Sequence, residues 1–201
     1  MTHLQIKPRE ITPAIIDLIV GSLKIGQVVV LPTDTIYGLS CLADRPAAIR
    51  KIQRLKGRDP KKPLIALVSS LAMLKKYVLV SRRQEKNLKK IWSAGRPTTV
   101  ILNHRGRLAP ELTGSADGLA VRLPKNEFLI KIIENVKRPL VSTSLNLSGR
   151  ESIHDLRALL RYFPKKHCRP DLVVDIGPCR KRRPSRLLDW RDEEKPAVLR
   201  K

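Results

Sequence analysis

Residues 26–39 read Gly-Gln-Val-Val-Val-Leu-Pro-Thr-Asp-Thr-Ile-Tyr-Gly-Leu, and this stretch decides the fold class. Residues 27–31 form a valine-rich, mostly apolar run without alternation, the pattern of a short strand buried on both faces. Pro32-Thr33-Asp34-Thr35 then breaks the run and presents two hydroxyls, a carboxylate and turn amides at the strand's end. Ligand sites in α/β folds favour that position, and hydroxyls and amides hold small polar ligands without adding charge. The same segment also fits an ordinary strand-to-turn junction, so by itself it fixes architecture rather than chemistry.

Working outward, Thr12-Pro13 followed by Ile15, Ile16, Leu18, Ile19 and Leu23 predicts a capped amphipathic helix that ends at Gly26. A second helix is expected over 46–56, with Ile49, Ile52 and Leu55 on one face, and helical sequence over 71–92 in two pieces broken near Ser81. Further helices are expected over 126–136 and from Ser152 or Asp155 to about 163. Strands are expected at 63–68, 98–102, 119–123, 139–143, 171–176, 186–190 and 197–199. Strands alternating with helices, with some strands adjacent, indicate an α/β (α+β) domain around a mixed sheet. At 201 residues the chain is expected to form a single domain, 1–201.

Charge is the compositional outlier. Forty-one Lys and Arg against eighteen Asp and Glu give a net +23, which attracts nucleic acid, nucleotide phosphates or anionic membranes. An aromatic share of 3% argues against binding by base stacking. The densest basic run, residues 179–186, reads as a polyanion patch or a solvated loop. Cys41, Cys168 and Cys179 have no paired spacing, and the polar first ten residues contain no secretory core. A reduced, cytoplasmic setting is therefore expected. No apolar run is long enough to span a bilayer, so no membrane is expected as a partner. His167-Cys168 with Cys179 makes at most a thin zinc pattern, and surface loop residues account for it better.

Two further constellations carry chemistry. Lys56-Gly57-Arg58 places a mobile point charge and a planar fork two residues apart, able to converge on one phosphate. Such cations neutralise charge developing during phosphoryl and nucleotidyl transfer. Ser142-Thr143-Ser144-Leu145-Asn146-Leu147-Ser148-Gly149 follows an apolar strand with donors suited to phosphate or carboxylate oxygens. It has neither P-loop nor dinucleotide-fingerprint spacing, and a capped turn would also look like this.

In order, Pro-Thr-Asp-Thr-x-Tyr-Gly-Leu at 32–39, Lys-x-Arg at 56–58, Val-Arg-x-Pro at 121–124 and Ser-Thr-Ser-x-Asn-Leu-Ser-Gly at 142–149 resemble the YrdC family of threonylcarbamoyl-AMP synthases. The resemblance runs from about Gly26 to Gly149 and continues through Pro184-Ser185 to Arg200, at the length of the short single-domain bacterial form. It implies a twisted mixed β-sheet flanked by helices, with a concave basic cavity. It also implies condensation of L-threonine, bicarbonate and ATP to threonylcarbamoyl-adenylate and pyrophosphate. A partner transferase complex would then modify tRNA beside the anticodon.

Carried over by motif, Lys56 and Arg58 are the catalytic pair at the ATP phosphates, with Lys62, Thr99, Ser144, Asn146 and Arg200 also at the nucleotide. Thr33, Thr35, Arg122, Ser142 and Ser185 fall at threonine. Ser144 and Asn146 are candidate contacts for a magnesium ion held mainly by substrate phosphates and water. The chain departs from the family pattern at Lys62, where asparagine is common, at Leu67, where many members have histidine, and across 92–97. Two other readings stay open: an RNA-binding module that uses the basic cavity, and a carbamoyl-transfer domain like that of hydrogenase maturation factors.

Overall fold

The structure, a computed structural model, describes residues 1–7, 10–114, 116–165, 168–179 and 184–201. Among the described residues ten strands form one mixed sheet: β1 (Thr2–Gln5), β2 (Val29–Leu31), β3 (Gly38–Leu42), β4 (Ile65–Leu67), β5 (Thr98–Asn103), β6 (Gly118–Arg122), β7 (Leu140–Ser144), β8 (Leu172–Asp175), β9 (Arg186–Asp189) and β10 (Ala197–Arg200). Their spatial order is β1-β8-β2-β3-β7-β4-β6-β5-β9-β10. The pairs β1–β8, β8–β2, β4–β6 and β5–β9 are parallel and the other five antiparallel.

Strand periodicity sorts the side chains into two cores. Val28, Val30, Leu39, Cys41, Ala66 and Val141 join one, while Val29, Leu31, Leu42, Leu67 and Leu140 join the other. On the first face, α2 (Pro46–Lys56) buries Ala48, Ile49, Ile52 and Leu55. Over the second face lie α1 (Pro13–Lys24), through Ile16, Ile19, Val20 and Leu23, and α6 (Glu127–Val136), through Phe128, Leu129, Ile132, Ile133 and Val136. Covering on both sides explains why these strands read as unbroken apolar runs.

The remaining helices follow their caps. Thr12 accepts the Ile15 N–H at the start of α1, with Pro13 at the first turn. The expected break near Ser81 separates α3 (Leu71–Lys75) from α4 (Arg82–Ser93), and Ser81 and Gln84 form a reciprocal capping box. Asp155, rather than Ser152, caps the later segment, a 3-10 turn at Leu156–Ala158 that runs into α7 (Leu159–Tyr162). Three elements were not expected: β1, β3 and α5 (Pro110–Thr113). β1 is polar and mostly exposed, and its place comes from pairing with β8. β3 contains Gly38 and Ser40, which hide its strand character from an apolar pattern. Residues 180–183 of the basic run and His167 lie outside the described residues.

Candidate active site

Along the second sheet face the side chains change character from one strand end to the other. On β3 the same-face series is Leu42, Ser40, Gly38, and on β7 it is Leu140, Ser142, Ser144. Leu42 and Leu140 belong to the core that includes α1 and α6. Past them the face is small and polar, and there a cavity of about 260 Å³ opens. Thr33, Thr35, Arg58, Arg122, Ser142, Ser144, Ser185 and Arg200 are among its walls. Gly38 suits this close approach: a Cβ there would stand 3.0 Å from Ser142 Oγ and 3.3 Å from the Thr143 carbonyl, tighter than ordinary contact. An adjoining chamber of about 330 Å³ shares Arg58 and Ser144, and adds Lys56, Gly57, Asp59, Lys62, Asn146, Ser148 and Gly149.

Lys56 closes α2, and Gly57 leaves the helix in the left-handed region (φ 56°), which turns Arg58 back toward the sheet. Both cations reach the adjoining chamber, but their hydrogen bonds differ. Lys56 is 2% exposed, and its ammonium donates to the Ser144 carbonyl (2.5 Å), the Asn146 carbonyl (3.0 Å) and Asn146 Oδ1 (2.6 Å). An ammonium has three hydrogens, so its donors are all engaged. Burial, and then the charge of Arg58, push the Lys56 pKa down to about 8. The half-buried Arg58 donates to the Pro63 carbonyl (2.8 Å) and keeps part of its fork at the walls of both chambers. Burial lowers its pKa, which Asp59 partly offsets.

Arg122, at the end of β6, is 6% exposed and forms an ion pair with Asp34 at 3.2 Å. Its Nε makes no hydrogen bond. Burial lowers its pKa, Asp34 opposes that shift, and Arg200 adds to it. Sequence reading missed the role of Asp34 as counter-charge, since the two residues lie far apart in the chain. Thr33, a cavity wall, also shapes its own loop. Its hydroxyl donates to the Ile36 carbonyl (2.6 Å) and accepts the Thr35 and Ile36 N–H groups (3.1 Å each), so its single hydrogen is used in shaping the turn. Thr35 is then held at the cavity wall.

Thr99 is fully buried, and its hydroxyl shares a 2.9 Å hydrogen bond with Ser185 Oγ. It stands behind Ser185 and does not line the cavity. Arg200 comes from β10, an exposed edge strand, and donates to the Ser185 carbonyl at 2.9 Å. Ser152, read in sequence as a helix opener, is instead a cavity wall. Leu67 is buried in the second core. Tyr37 is fully buried, its hydroxyl donating to the Gly177 carbonyl (2.7 Å) and accepting the Ile176 N–H (2.9 Å). Burial above all raises its pKa.

Asn146 Oδ1 already accepts from Lys56 and from Ser144 Oγ (2.6 Å). An ammonium at that distance repels a divalent cation, so Ser144 and Asn146 do not fit direct magnesium ligation. Among the described residues no group of three or more His, Cys, Asp or Glu could hold a metal ion.

The family model Sua5/YciO/YrdC, described as "Telomere recombination", matches residues 22–201. A human protein named threonylcarbamoyl-AMP synthase is 33% identical over 79% of the chain and 54% of its own length. A protein of the same name from Dichelobacter nodosus is 31% identical over 84% of the chain and 86% of its own. Pyrococcus abyssi Sua5, solved in complex with L-threonine, superposes with a TM-score of 0.87 at 28% identity, over the whole chain and 57% of that protein. The chain thus spans little more than half the human and archaeal relatives, and most of the bacterial one.

Proposed function

Because the chain belongs to the Sua5/YciO/YrdC family, we propose that it is a nucleotidyltransferase making threonylcarbamoyl-AMP from L-threonine, bicarbonate and ATP. One observation carries the reading. Side chains that the motifs assign to the amino acid (Thr35, Arg122, Ser142, Ser185) and to the nucleotide (Arg58, Ser144, Arg200) wall a single cavity. Names of relatives and the threonine complex of the archaeal neighbour support the same chemistry.

The threonine amine and bicarbonate condense to a carbamate with loss of water. A carbamate oxygen then bonds to the α-phosphorus of ATP, the bond to the β-phosphate oxygen breaks, and pyrophosphate leaves. No group need bond covalently to substrate, so the protein's work is orientation and charge stabilisation. Arg122 takes the threonine carboxylate, its geometry set by Asp34. Thr35 and Ser142 supply hydroxyls for the amino acid, and Arg58 and Arg200 face the phosphates. Lys62 serves the departing pyrophosphate in the adjoining chamber. Magnesium enters with ATP as part of the substrate.

The product serves a downstream transferase that modifies tRNA beside the anticodon. We place the reaction in the cytoplasm, in keeping with the odd number of cysteines and their lack of paired spacing. Among the described residues no helix is long and apolar enough to cross a membrane. The test is pyrophosphate release by purified protein with ATP, magnesium and bicarbonate. Release that requires L-threonine and is weak with serine supports the proposal. Folded protein that binds ATP yet releases none with any amino acid refutes it.

A further inference from the structure

We propose that Lys56 is a positioning residue that holds the 144–148 turn in its phosphate-receiving shape, and that it does not itself bind phosphate. This rests on the nucleotide reading of the site, which it refines. Lys-x-Arg spacing suggests two cations on one phosphate, but the geometry separates their tasks. The three ammonium hydrogens of Lys56 end on the Ser144 carbonyl, the Asn146 carbonyl and Asn146 Oδ1, at 2.5–3.0 Å. Its main chain grips the same turn, since its carbonyl accepts the Ser148 N–H at 2.8 Å.

The rest of the turn is organised around that contact. Asn146 Oδ1 also accepts from Ser144 Oγ (2.6 Å), and Asn146 Nδ2 donates to the Arg150 carbonyl (2.6 Å). Leu145 N–H is tied to the Tyr37 carbonyl (3.0 Å), which continues the β3–β7 pairing and joins the turn to the end of the threonine-rich loop. Three oxygens with partial negative charge therefore point at a buried cation rather than at an incoming triphosphate. Without Lys56 they would face the anion or pull the turn apart, because buried carbonyls must find donors. Arg58, with part of its fork on both chambers, is left as the cation of the pair that meets phosphate.

The lock is read first in protein without ligand, by 15N spectra of lysine-labelled material. Lys56 should give a slowly exchanging ammonium signal, and Asn146→Ala should speed its exchange. A Lys56 signal absent or averaged with surface lysines would overturn the proposal. On adding ATP with magnesium, backbone amides of 144–149 should shift while the ammonium signal keeps its position. An ammonium signal that moves with the nucleotide or couples to phosphorus would equally overturn it. If ATP moves no amide, the nucleotide reading fails, and the lock is judged on the ligand-free spectra.

Kinetics adds a second arm. Lys56→Met should lower kcat/KM about a hundredfold, as misplacement of a turn does. Combined with Asn146→Ala it should cost little more, since both changes break one unit. Multiplying losses would overturn the proposal, as independent phosphate contacts would give. If Lys56→Met does not fold, Lys56→Gln replaces it in the same cycle.

Discussion

Leu140 and Ser142 are two residues apart on one face of one strand, yet they do opposite work. Leu140 is fully buried in the core shared with α1 and α6. Ser142, paired across the sheet with Ser40 and Ile65, walls the cavity. The same switch occurs on β3 between Leu42 and Gly38. One half of the sheet face stabilises the protein through apolar burial. The other half gives up that burial for hydroxyls, a glycine and arginines, and relies on the packed half for rigidity. Site and scaffold are thus two ends of the same strands, as the general preference of ligands for strand ends anticipates.

The comparison can be broken most severely at Arg122, where both halves meet. Arg122→Ala breaks the buried ion pair with Asp34 and should destabilise the fold by about 3–5 kcal/mol, besides removing the carboxylate contact. Urea denaturation and pyrophosphate release should fall together, and a stable variant with intact turnover would contradict the account. Leu140→Ala acts on the scaffold half alone. It should cost about 2–5 kcal/mol of stability while kcat/KM, assayed well below the melting transition, stays within a fewfold of wild type.

A titration separates the halves in sign. With Lys56 pushed down to about 8 from its ordinary 10.5, the folded protein sheds this proton before the unfolded chain does. Between those values the unfolded state binds more protons at this residue, so its contribution to stability rises with pH. Activity should move the other way, with kcat/KM falling above about pH 8 as the ammonium that holds the turn is lost. Arg58, Asp59 and Lys62 line the same chamber. Lys56→Arg should remove the alkaline limb. The smallest effect belongs behind the cavity wall: Thr99→Val removes one buried hydroxyl bond to Ser185 and should cost about 1 kcal/mol, measured by thermal unfolding.

How much of this was legible depended on which half of the sheet a residue occupies. β2, with apolar side chains on both faces, announced itself, as did helices with caps at Thr12 and Ser81. β3 did not, because the glycine and serine that make the cavity possible also erase its apolar pattern. The motifs led to most of the cavity walls. What they could not carry was direction. Only the folded arrangement turns Lys56 into the turn, ties up the Thr33 hydroxyl, sets Thr99 behind Ser185 and pairs Asp34 with Arg122. Those facts depend on contacts between distant segments, where spacing is silent.

The central claim is that amino acid and nucleotide occupy one cavity through different arginines. Calorimetric titration of Arg58→Ala and Arg122→Ala, each with ATP and with L-threonine, tests it most directly. Arg58→Ala should lose ATP affinity and keep threonine, and Arg122→Ala should lose threonine and keep ATP, with pyrophosphate release abolished in both. Either ligand binding both variants as tightly as wild type would place it outside this cavity and contradict the account.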